Sequence, residues 1–302
     1  MNMRIRNLLA GATAIALGVM IARSDLDAQR GGGPPGAGRG AARTPRASAA
    51  VDLTGTWVSV VSEDWRWRMV TPLKNDVASV PVSGEGRKVA QSWDLDRDNA
   101  SNNQCKAFGI GGVMRQPGRV RISWQDDSTL KLEFDAGTQT RLLYFNRAQA
   151  APAEKTWQGF SLAEWQGPGL RGGGDAPPGP AAGGGAAVPG GGGRGLRGGP
   201  PPRGGGAVSL GASAKVVTTG QREGYLRKNG VPYSERAVFT EYFNRLPPTD
   251  GLDLLLVTTI VEDPVYLSQA FYTSTHFKKE ANDSKWAATP CYTAPPLVTS
   301  KK

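Results

Sequence analysis

The 302-residue chain contains one histidine, His276, and an imidazole is the side chain best suited to move protons near neutral pH. It lies in a predicted strand, on the face opposite Phe277. A lyase, hydratase or isomerase that needs no cofactor would require His276 or a carboxylate in a dry pocket opposite Tyr144 or Tyr242. A surface or capping histidine is the alternative. His276 is the candidate catalytic residue, and a single histidine excludes a metal site built on two histidines.

Arginines are the second set of residues that could carry chemistry. Arg66 and Arg68 alternate with Trp65, Trp67 and Met69, which predicts a strand with one aromatic face and one charged face. Inside a barrel, these guanidinium groups could hold a carboxylate or phosphate by paired hydrogen bonds; outside, they would only be solvated. The candidate ligand-binding residues of all the predicted strands are Arg66, Arg68, Arg119, Trp124, Arg141, Tyr144 and Tyr242.

A second explanation stands beside ligand binding for the strand arginines. Arg119 and Arg141 alternate with apolar residues, and Glu133, Asp135 and Glu241 occupy similar positions on other predicted strands. Arginines and carboxylates on adjacent strands form ion pairs across a sheet. The sequence leaves both explanations open.

Three aspartates, Asp94, Asp96 and Asp98, have the spacing that begins a calcium-binding loop. Asn99 and Cys105 stand where an EF-hand has its Gly and its Glu, so a polar loop is the alternative. The common nucleotide-binding, esterase and metalloprotease signatures do not occur in the sequence. We therefore assign no metal and no cofactor.

Residues 1–28 have the pattern of a secretory signal peptide. Arg4 and Arg6 precede the apolar run Leu8–Ala22, and Leu26-Asp27-Ala28 supplies a small residue for cleavage. We expect an exported protein, periplasmic or secreted, with an uncleaved membrane anchor as the alternative. Beyond these residues no apolar stretch reaches 18 residues, so we expect no integral membrane protein once the signal is removed.

The chain has two cysteines, Cys105 and Cys291. An exported protein folds in an oxidising compartment, so we predict that the two form a disulfide. This bond would tie the C-terminal segment to the middle of the fold.

Composition divides the chain into one domain and three low-complexity segments. Residues 29–51 form a predicted disordered leader, residues 167–206 are a long Gly/Pro-rich disordered insertion, and residues 293–302 form a loose tail. The β-barrel domain is predicted at 52–292, interrupted by the insertion. Arg-Gly-Gly elements in the insertion resemble segments that bind single-stranded nucleic acid. For an exported protein a flexible insertion is favoured, and we expect no nucleic-acid partner.

The domain is mainly β in its pattern. Residues 119–125, 129–135 and 138–145 alternate apolar and polar side chains between short turns, which is typical of adjacent antiparallel strands. Further predicted strands lie at 215–219, 236–245, 252–261 and 271–277, and Asn229-Gly230 predicts a hairpin turn. Only residues 84–93 have helical spacing. We predict an antiparallel up-and-down β-barrel with one short helix.

The segment Asp52-Leu-Thr-Gly-Thr-Trp57 resembles the G-x-W element that opens the first strand of the lipocalin, or calycin, barrel. The resemblance implies that Trp57 closes the barrel floor and that a late arginine, Arg236 or Arg245, lies across its ring. It also implies a disulfide from the C-terminal tail to a barrel strand, as Cys105 and Cys291 would provide. The chain departs from the family in its Gly-rich insertion and in lacking a long helix after the last strand.

Four further segments resemble a group of exported proteins of soil bacteria that have no assigned activity. These segments are Glu63-Asp-Trp-Arg-Trp-Arg-Met69, Gly137-Thr-Gln-Thr-Arg141, Thr240-Glu-Tyr-Phe243 and Glu262-Asp-Pro-Val-Tyr266. The resemblance implies a fold and a location and carries no function.

The sequence favours a monomeric, non-catalytic protein that binds a small amphipathic or anionic ligand in a barrel cavity. The formal net charge of +10 suits an anionic ligand or an anionic component of the cell envelope. One alternative is a cofactor-independent lyase, hydratase or isomerase that uses the same cavity. The other is a structural cell-envelope protein whose barrel is filled and whose basic surface is the working part.

Overall fold

A computed structural model describes residues 43–167 and 212–297. The predicted signal peptide, the start of the leader, most of the insertion and the last residues lie outside the described part. Nine strands close into a barrel, and two more form a separate hairpin. The strands are Gly55–Val60 (β1), Arg119–Trp124 (β2), Thr129–Phe134 (β3), Gln139–Tyr144 (β4), Phe160–Gln166 (β5), Ser213–Thr219 (β6), Gly224–Arg227 (β7), Val231–Tyr233 (β8), Val238–Arg245 (β9), Leu254–Glu262 (β10) and Phe271–Glu280 (β11).

The prediction of a mainly β fold with a closed barrel is confirmed. The order around the wall is β1-β11-β10-β9-β6-β5-β4-β3-β2, and β1 pairs with both β11 and β2. A wholly antiparallel, up-and-down barrel does not form, because β4 and β5 pair in parallel at Leu143–Ser161 and Tyr144–Leu162. Neighbouring parallel strands require a connection that returns to the starting end of the barrel, and residues 145–159 make that return.

Alternation along the strands decides which side chains fill the barrel. The inward residues of β2 and β3 include Val120, Ile122, Leu130 and Leu132, all at most 2% exposed. Opposite them, Phe243 and other inward residues of β9 to β11 join the same apolar core. The interior is therefore a packed core.

One end of the barrel is capped by the long β1–β2 connection and by the β7–β8 hairpin. Asn229-Gly230 lies in the turn of this hairpin, as predicted, and Gly230 has a φ of 79°. A Cβ on Gly230 would lie 2.2 Å from the Trp93 ring, so the turn needs glycine for both its backbone angle and its packing. The buried Asn229 amide donates to the carbonyls of Leu73 and Asp76, which fixes the hairpin beneath residues 73–76.

The structure contains more helix than the single predicted segment. The expected helix is present at Gly84–Ser92 (α2), and Trp65–Arg68 (α1) and Leu95–Ala100 (α3) are additional α-helices within the described residues. The expectation of a strand at Trp65–Met69 is wrong, because Arg68 and Met69 donate backbone hydrogen bonds to Asp64 and Trp65, one helical turn back. Five alternating residues are too few to separate a strand from one turn of helix.

The segments on either side of the barrel are attached to it by specific contacts. The indole of Trp165 donates to the carbonyl of Pro45, within the predicted leader, at 3.0 Å. Cys105, in a 3-10 helix at Gln104–Phe108, forms the predicted disulfide with Cys291, which is confirmed. Next to it, the Thr289 N–H donates to the carbonyl of Asp135. No helix in residues 43–167 and 212–297 is long and apolar enough to cross a membrane.

Candidate functional site

A pocket of about 320 Å³ lies on the side of the barrel, between β4 and the returning chain at residues 152–160. We call it the side pocket. The pocket forms because β4 and β5 pair over only two residues each. The first residues of β4, before these pairs, are covered by residues 152–160. Tyr144 and Phe160 stack with their ring centroids 5.3 Å apart, and Trp157 and Leu142 add further apolar surface. Its size and largely apolar lining are those of a small-molecule site.

Gln158 lines the side pocket, and its side-chain oxygen is an unsatisfied hydrogen-bond acceptor. Its Nε2 donates to the carbonyl of Phe108 at 2.8 Å and to Oε1 of Gln139 at 3.1 Å, so the amide orientation is fixed. Its Oε1 is buried and accepts from no group within the described residues. A buried acceptor without a donor is unfavourable by about 1–3 kcal/mol, which a ligand N–H or O–H would offset.

Arg141 also lines the side pocket, and its guanidinium lies in the barrel core. Its Nη2 donates to Thr218 Oγ1 at 2.9 Å and to the Glu241 carboxylate, and its Nε donates to Ser161 Oγ at 3.1 Å. Arg141 and Glu241 are each 1% exposed, so their charges balance inside the protein. The remaining nitrogen, Nη1, donates to nothing in the described ranges.

In the side pocket the structure brings together two of the predicted ligand-binding residues, Arg141 and Tyr144. Trp124 lies at the end of the barrel away from the hairpin, in an aromatic group with Phe145 and Trp165. Tyr242 is on the outward face of β9, since its neighbours on the strand are buried inside.

Arg119 takes part in an ion pair on the outer wall. Its Nε donates to Glu280 at 2.6 Å, and Asp135 lies 3.8 Å from the guanidinium. The hydrogen bond that Arg119 donates to Glu280 is the main cause that raises the pKa of Arg119. Glu280 lies on β11, which β1 separates from β2, so this pair is not between adjacent strands; of the carboxylates proposed from the sequence, Asp135 is the one near Arg119.

Arg66 and Arg68 lie on α1, at the capped end of the barrel, with opposite exposures. Arg66 is mostly exposed and pairs with Asp76 at 3.1 Å. Arg68 is buried, pairs with Glu63 and donates to the carbonyl of Arg115 at 3.0 Å. The Arg68 guanidinium also donates to Ser59 Oγ at 2.9 Å, on the inward face of β1, so it lies at the mouth of the barrel.

Three buried arginines, Arg68, Arg115 and Arg227, form what we call the arginine cluster. Arg115 pairs with Asp64 at 2.6 Å. All three guanidinium nitrogens of Arg227 are buried without a hydrogen-bond partner in the described part of the chain, and its guanidinium lies 4.2 Å from the centroid of Trp67. Burial and the charge of Arg115 lower the pKa of Arg227 to about 10, so it stays charged at neutral pH. An unpaired buried cation is a strong anion attractor.

His276 lies on the outer face of β11, and 39% of its side chain is exposed. Its Nδ1 lies 2.9 Å from Ser62 Oγ and 3.1 Å from the Glu63 carboxylate. In a serine–histidine–carboxylate triad the serine and the carboxylate contact opposite ring nitrogens. Here both contact the same nitrogen, so the imidazole is not placed to pass a proton between them.

Trp57 is fully buried at the floor of the barrel, and its indole donates to the carbonyl of Leu53 at 3.0 Å. Of the two candidate arginines, Arg245 is the one over the ring, 5.9 Å from its centroid, and Lys279 lies at 5.2 Å. Arg236 is exposed and precedes β9 at the other end of the barrel.

Two of the three closely spaced aspartates, Asp94 and Asp98, have separate structural roles. Asp94 caps α3 by accepting from the N–H of Arg97, whereas Asp98 is buried and accepts from the Tyr225 hydroxyl at 2.8 Å. Burial is the main cause that raises the pKa of Tyr225. Among the described residues, no group of three His, Cys, Asp or Glu side chains could hold a metal ion.

Two functional candidates were missed by the sequence analysis. Gln158 precedes β5 and carries no pattern of its own. Arg227 flanks the Asn229-Gly230 turn, which was recognised, but its burial results from the cap that packs over the hairpin. No family model, curated protein or solved structure matches the chain, so its function must be inferred from the geometry of these sites.

Proposed function

We propose that this protein is a non-catalytic, exported binding protein that holds a small amphipathic molecule in the side pocket. The proposal keeps the ligand-binding role that the lipocalin-like first strand implies. It moves the site from the barrel interior, which is filled by core side chains, to the gap beside β4.

The proposal is supported by the residues that line the side pocket. The stacked pair Tyr144 and Phe160 provides a planar apolar surface, and Gln158 provides a fixed acceptor that needs a donor. A planar ring with a polar end that donates a hydrogen bond matches both features. The Arg141 charge is balanced by Glu241, so an uncharged polar end, such as a carboxamide, fits better than a carboxylate.

The catalytic alternative has less support in the geometry. The imidazole of His276 lies on the outer wall with Ser62 and Glu63, and the side pocket contains neither a histidine nor a free carboxylate among its lining residues. A general acid or base must reach its substrate within hydrogen-bond distance. Binding without catalysis therefore agrees better with the groups that line the pocket.

The proposal can be tested with three probes that share one ring: naphthalene-2-carboxamide, naphthalene-2-carboxylate and naphthalene. Titration calorimetry on the full chain should give the tightest binding for the carboxamide. Gln158→Met should weaken carboxamide binding about three- to tenfold and leave naphthalene unchanged, because only the carboxamide donates to Oε1. Tyr144→Ser should weaken all three probes.

The matched control is Tyr272→Ser, because Tyr272 is an exposed tyrosine of β11 that does not line the side pocket. Each variant is first checked for an unchanged thermal unfolding transition. Binding that does not respond to Tyr144→Ser, or equal affinity for the carboxamide and naphthalene, would show that the side pocket is not the ligand site.

A further inference from the structure

A short segment at the capped end of the barrel exposes large apolar side chains. Trp65, Met69 and Leu73 are 65%, 55% and 56% exposed, and Val70 is 37% exposed. We call these four residues the apolar ridge. Trp65 and Met69 are one helical turn apart, as the bond from the Met69 N–H to the Trp65 carbonyl shows, so they lie on the same side. Several large apolar side chains exposed within nine residues of the chain indicate an interaction site.

The ridge segment, residues 61–76, has three acidic and three basic side chains, and the buried Arg115 and Arg227 beside it leave the region positive. Glu63 pairs with Arg68, Asp64 pairs with Arg115, and Asp76 accepts from Arg66 and from the Trp67 indole. Burial alone would raise the pKa of Asp76, but these donors and the Ala78 N–H outweigh it and lower that pKa. Lys74 is exposed within the same segment. Each carboxylate of residues 61–76 thus has a cationic partner, while Lys74 and the buried Arg227 remain to attract anions.

The unpaired guanidinium of Arg227 lies directly behind the ridge segment. The Trp67 ring stands between Arg66 and Arg227, 4.9 Å and 4.2 Å from their guanidinium carbons. An anionic oxygen that reaches this place would find buried N–H donors that bond to no acceptor among the described residues, although the Asp64 and Asp76 carboxylates are near enough to act on Arg227 electrostatically.

We propose that the apolar ridge docks onto an anionic lipid surface and that a lipid phosphate binds at Arg227. The ridge inserts its Trp, Met, Val and Leu side chains at the level of the headgroups, where tryptophan is favoured. Arg66 and Lys74 meet the negative surface potential. This surface is independent of the side pocket, and it does not require the proposed ligand.

Charge complementarity favours a lipid surface over a protein partner. Protein interfaces are depleted of lysine at their centre and pair their charges across the interface. Here Lys74 follows Leu73 directly, next to exposed Arg66, as in segments that bind anionic membranes by apolar insertion plus basic residues.

The test is fluorescence quenching of the full chain by vesicles that carry brominated acyl chains. The signal of Trp65 is obtained as the difference between the protein and its Trp65→Phe variant, which isolates the ridge from the N-terminal apolar segment. We expect Trp65 to be quenched by phosphatidylcholine–phosphatidylglycerol vesicles (3:1) and not by phosphatidylcholine alone. Met69→Ser/Leu73→Ser should weaken vesicle binding at least about tenfold.

Two charge variants test whether a lipid phosphate binds at Arg227. Arg227→Met and Arg66→Gln/Lys74→Gln should each reduce the preference for phosphatidylglycerol, and the second pair is exposed enough to leave the fold unchanged. Inorganic phosphate at millimolar concentration should compete only weakly, because it has no acyl chain to anchor it. Complete release of the protein from the vesicles by phosphate would show that Arg227 binds a free anion, and it would overturn the lipid proposal.

Leu252→Ser is the matched control, because Leu252 is an exposed apolar residue in the loop between β9 and β10, at the opposite end of the barrel. It should leave vesicle binding unchanged. Absence of Trp65 quenching, or equal quenching by neutral and anionic vesicles, would overturn the proposal. A dimer that dissociates in the Met69→Ser/Leu73→Ser variant, without vesicle binding, would make the ridge a protein interface and would also overturn it.

Discussion

At the scale of single residues, the ion pair between Arg141 and Glu241 is the feature that most distinguishes this barrel core from an apolar one. Both side chains are 1% exposed, and Ser161 and Thr218 complete part of their hydrogen bonding. Burial of two charges is unfavourable unless they are paired, so each one depends on the other.

We predict that Arg141→Met lowers the free energy of unfolding by about 3–5 kcal/mol, because it leaves the Glu241 carboxylate buried and unpaired. Arg141→Met/Glu241→Leu should recover most of this loss, since it removes both charges. Urea unfolding of the two variants measures the difference. A double variant that is as unstable as the single one would show that the pair does not act as a unit.

The sequence identified both members of this pair but could not place them. Arg141 and Glu241 were candidates for ion pairs between adjacent strands, yet β4 and β9 are separated in the wall by β5 and β6. Their contact crosses the interior of the barrel. Alternation predicts which residues share a face, whereas a contact across the interior depends on the order in which strands close.

At the scale of secondary-structure elements, β5 and β6 behave as a hairpin despite the long insertion between them. They pair along their whole length, from Phe160–Thr219 to Gln166–Ser213. The two ends that the insertion joins are therefore already neighbours. The barrel does not need the intervening residues to bring these strands together.

We predict that replacement of residues 168–211 by a four-residue Gly/Asn/Ser loop leaves the fold intact. The shorter loop loses less entropy on closure, so the free energy of unfolding should rise by about 2 kcal/mol. Thermal unfolding and backbone amide spectra compare the two proteins. If the shortened chain loses its structure, the insertion has a role in folding that strand pairing does not supply.

Strand type followed from the sequence wherever alternation was clear. The strands β2, β3 and β9 alternate buried and less buried residues, and the sequence predicted each of them. The four residues of β7 are all buried, because the hairpin is covered on both faces, so no alternation marks them. A short element buried on both sides has no signature of period two.

At the scale of the whole molecule, the disulfide fixes the returning C-terminal segment to the cap. Cys105 and Cys291 are 186 residues apart in sequence, and Thr289 adds backbone contacts beside them. The segment runs from the end of β11 along the outside of the barrel, with Arg121 against the Trp286 ring at 4.3 Å.

We predict that Cys105→Ser/Cys291→Ser lowers the free energy of unfolding by about 3–5 kcal/mol, since so long a loop constrains the unfolded chain strongly. Hydrogen exchange should show faster exchange at residues 286–297 and little change in β2 to β4. The protein reduced under native conditions serves as the control and should match the variant. Unchanged exchange in residues 286–297 would mean that their backbone contacts suffice without the bond.

The sequence by itself determined the β class, most strand positions, the Asn229-Gly230 turn and the pairing of the two cysteines. These features depend on local alternation, on turn chemistry and on the count of thiols, all of which are present in the chain before it folds. Only the tertiary structure decided the parallel contact of β4 with β5, and with it the side pocket. It also decided that Arg227 is buried and unpaired, because that outcome requires the cap to close over the hairpin. Sites formed where distant segments meet have no local pattern from which to be predicted.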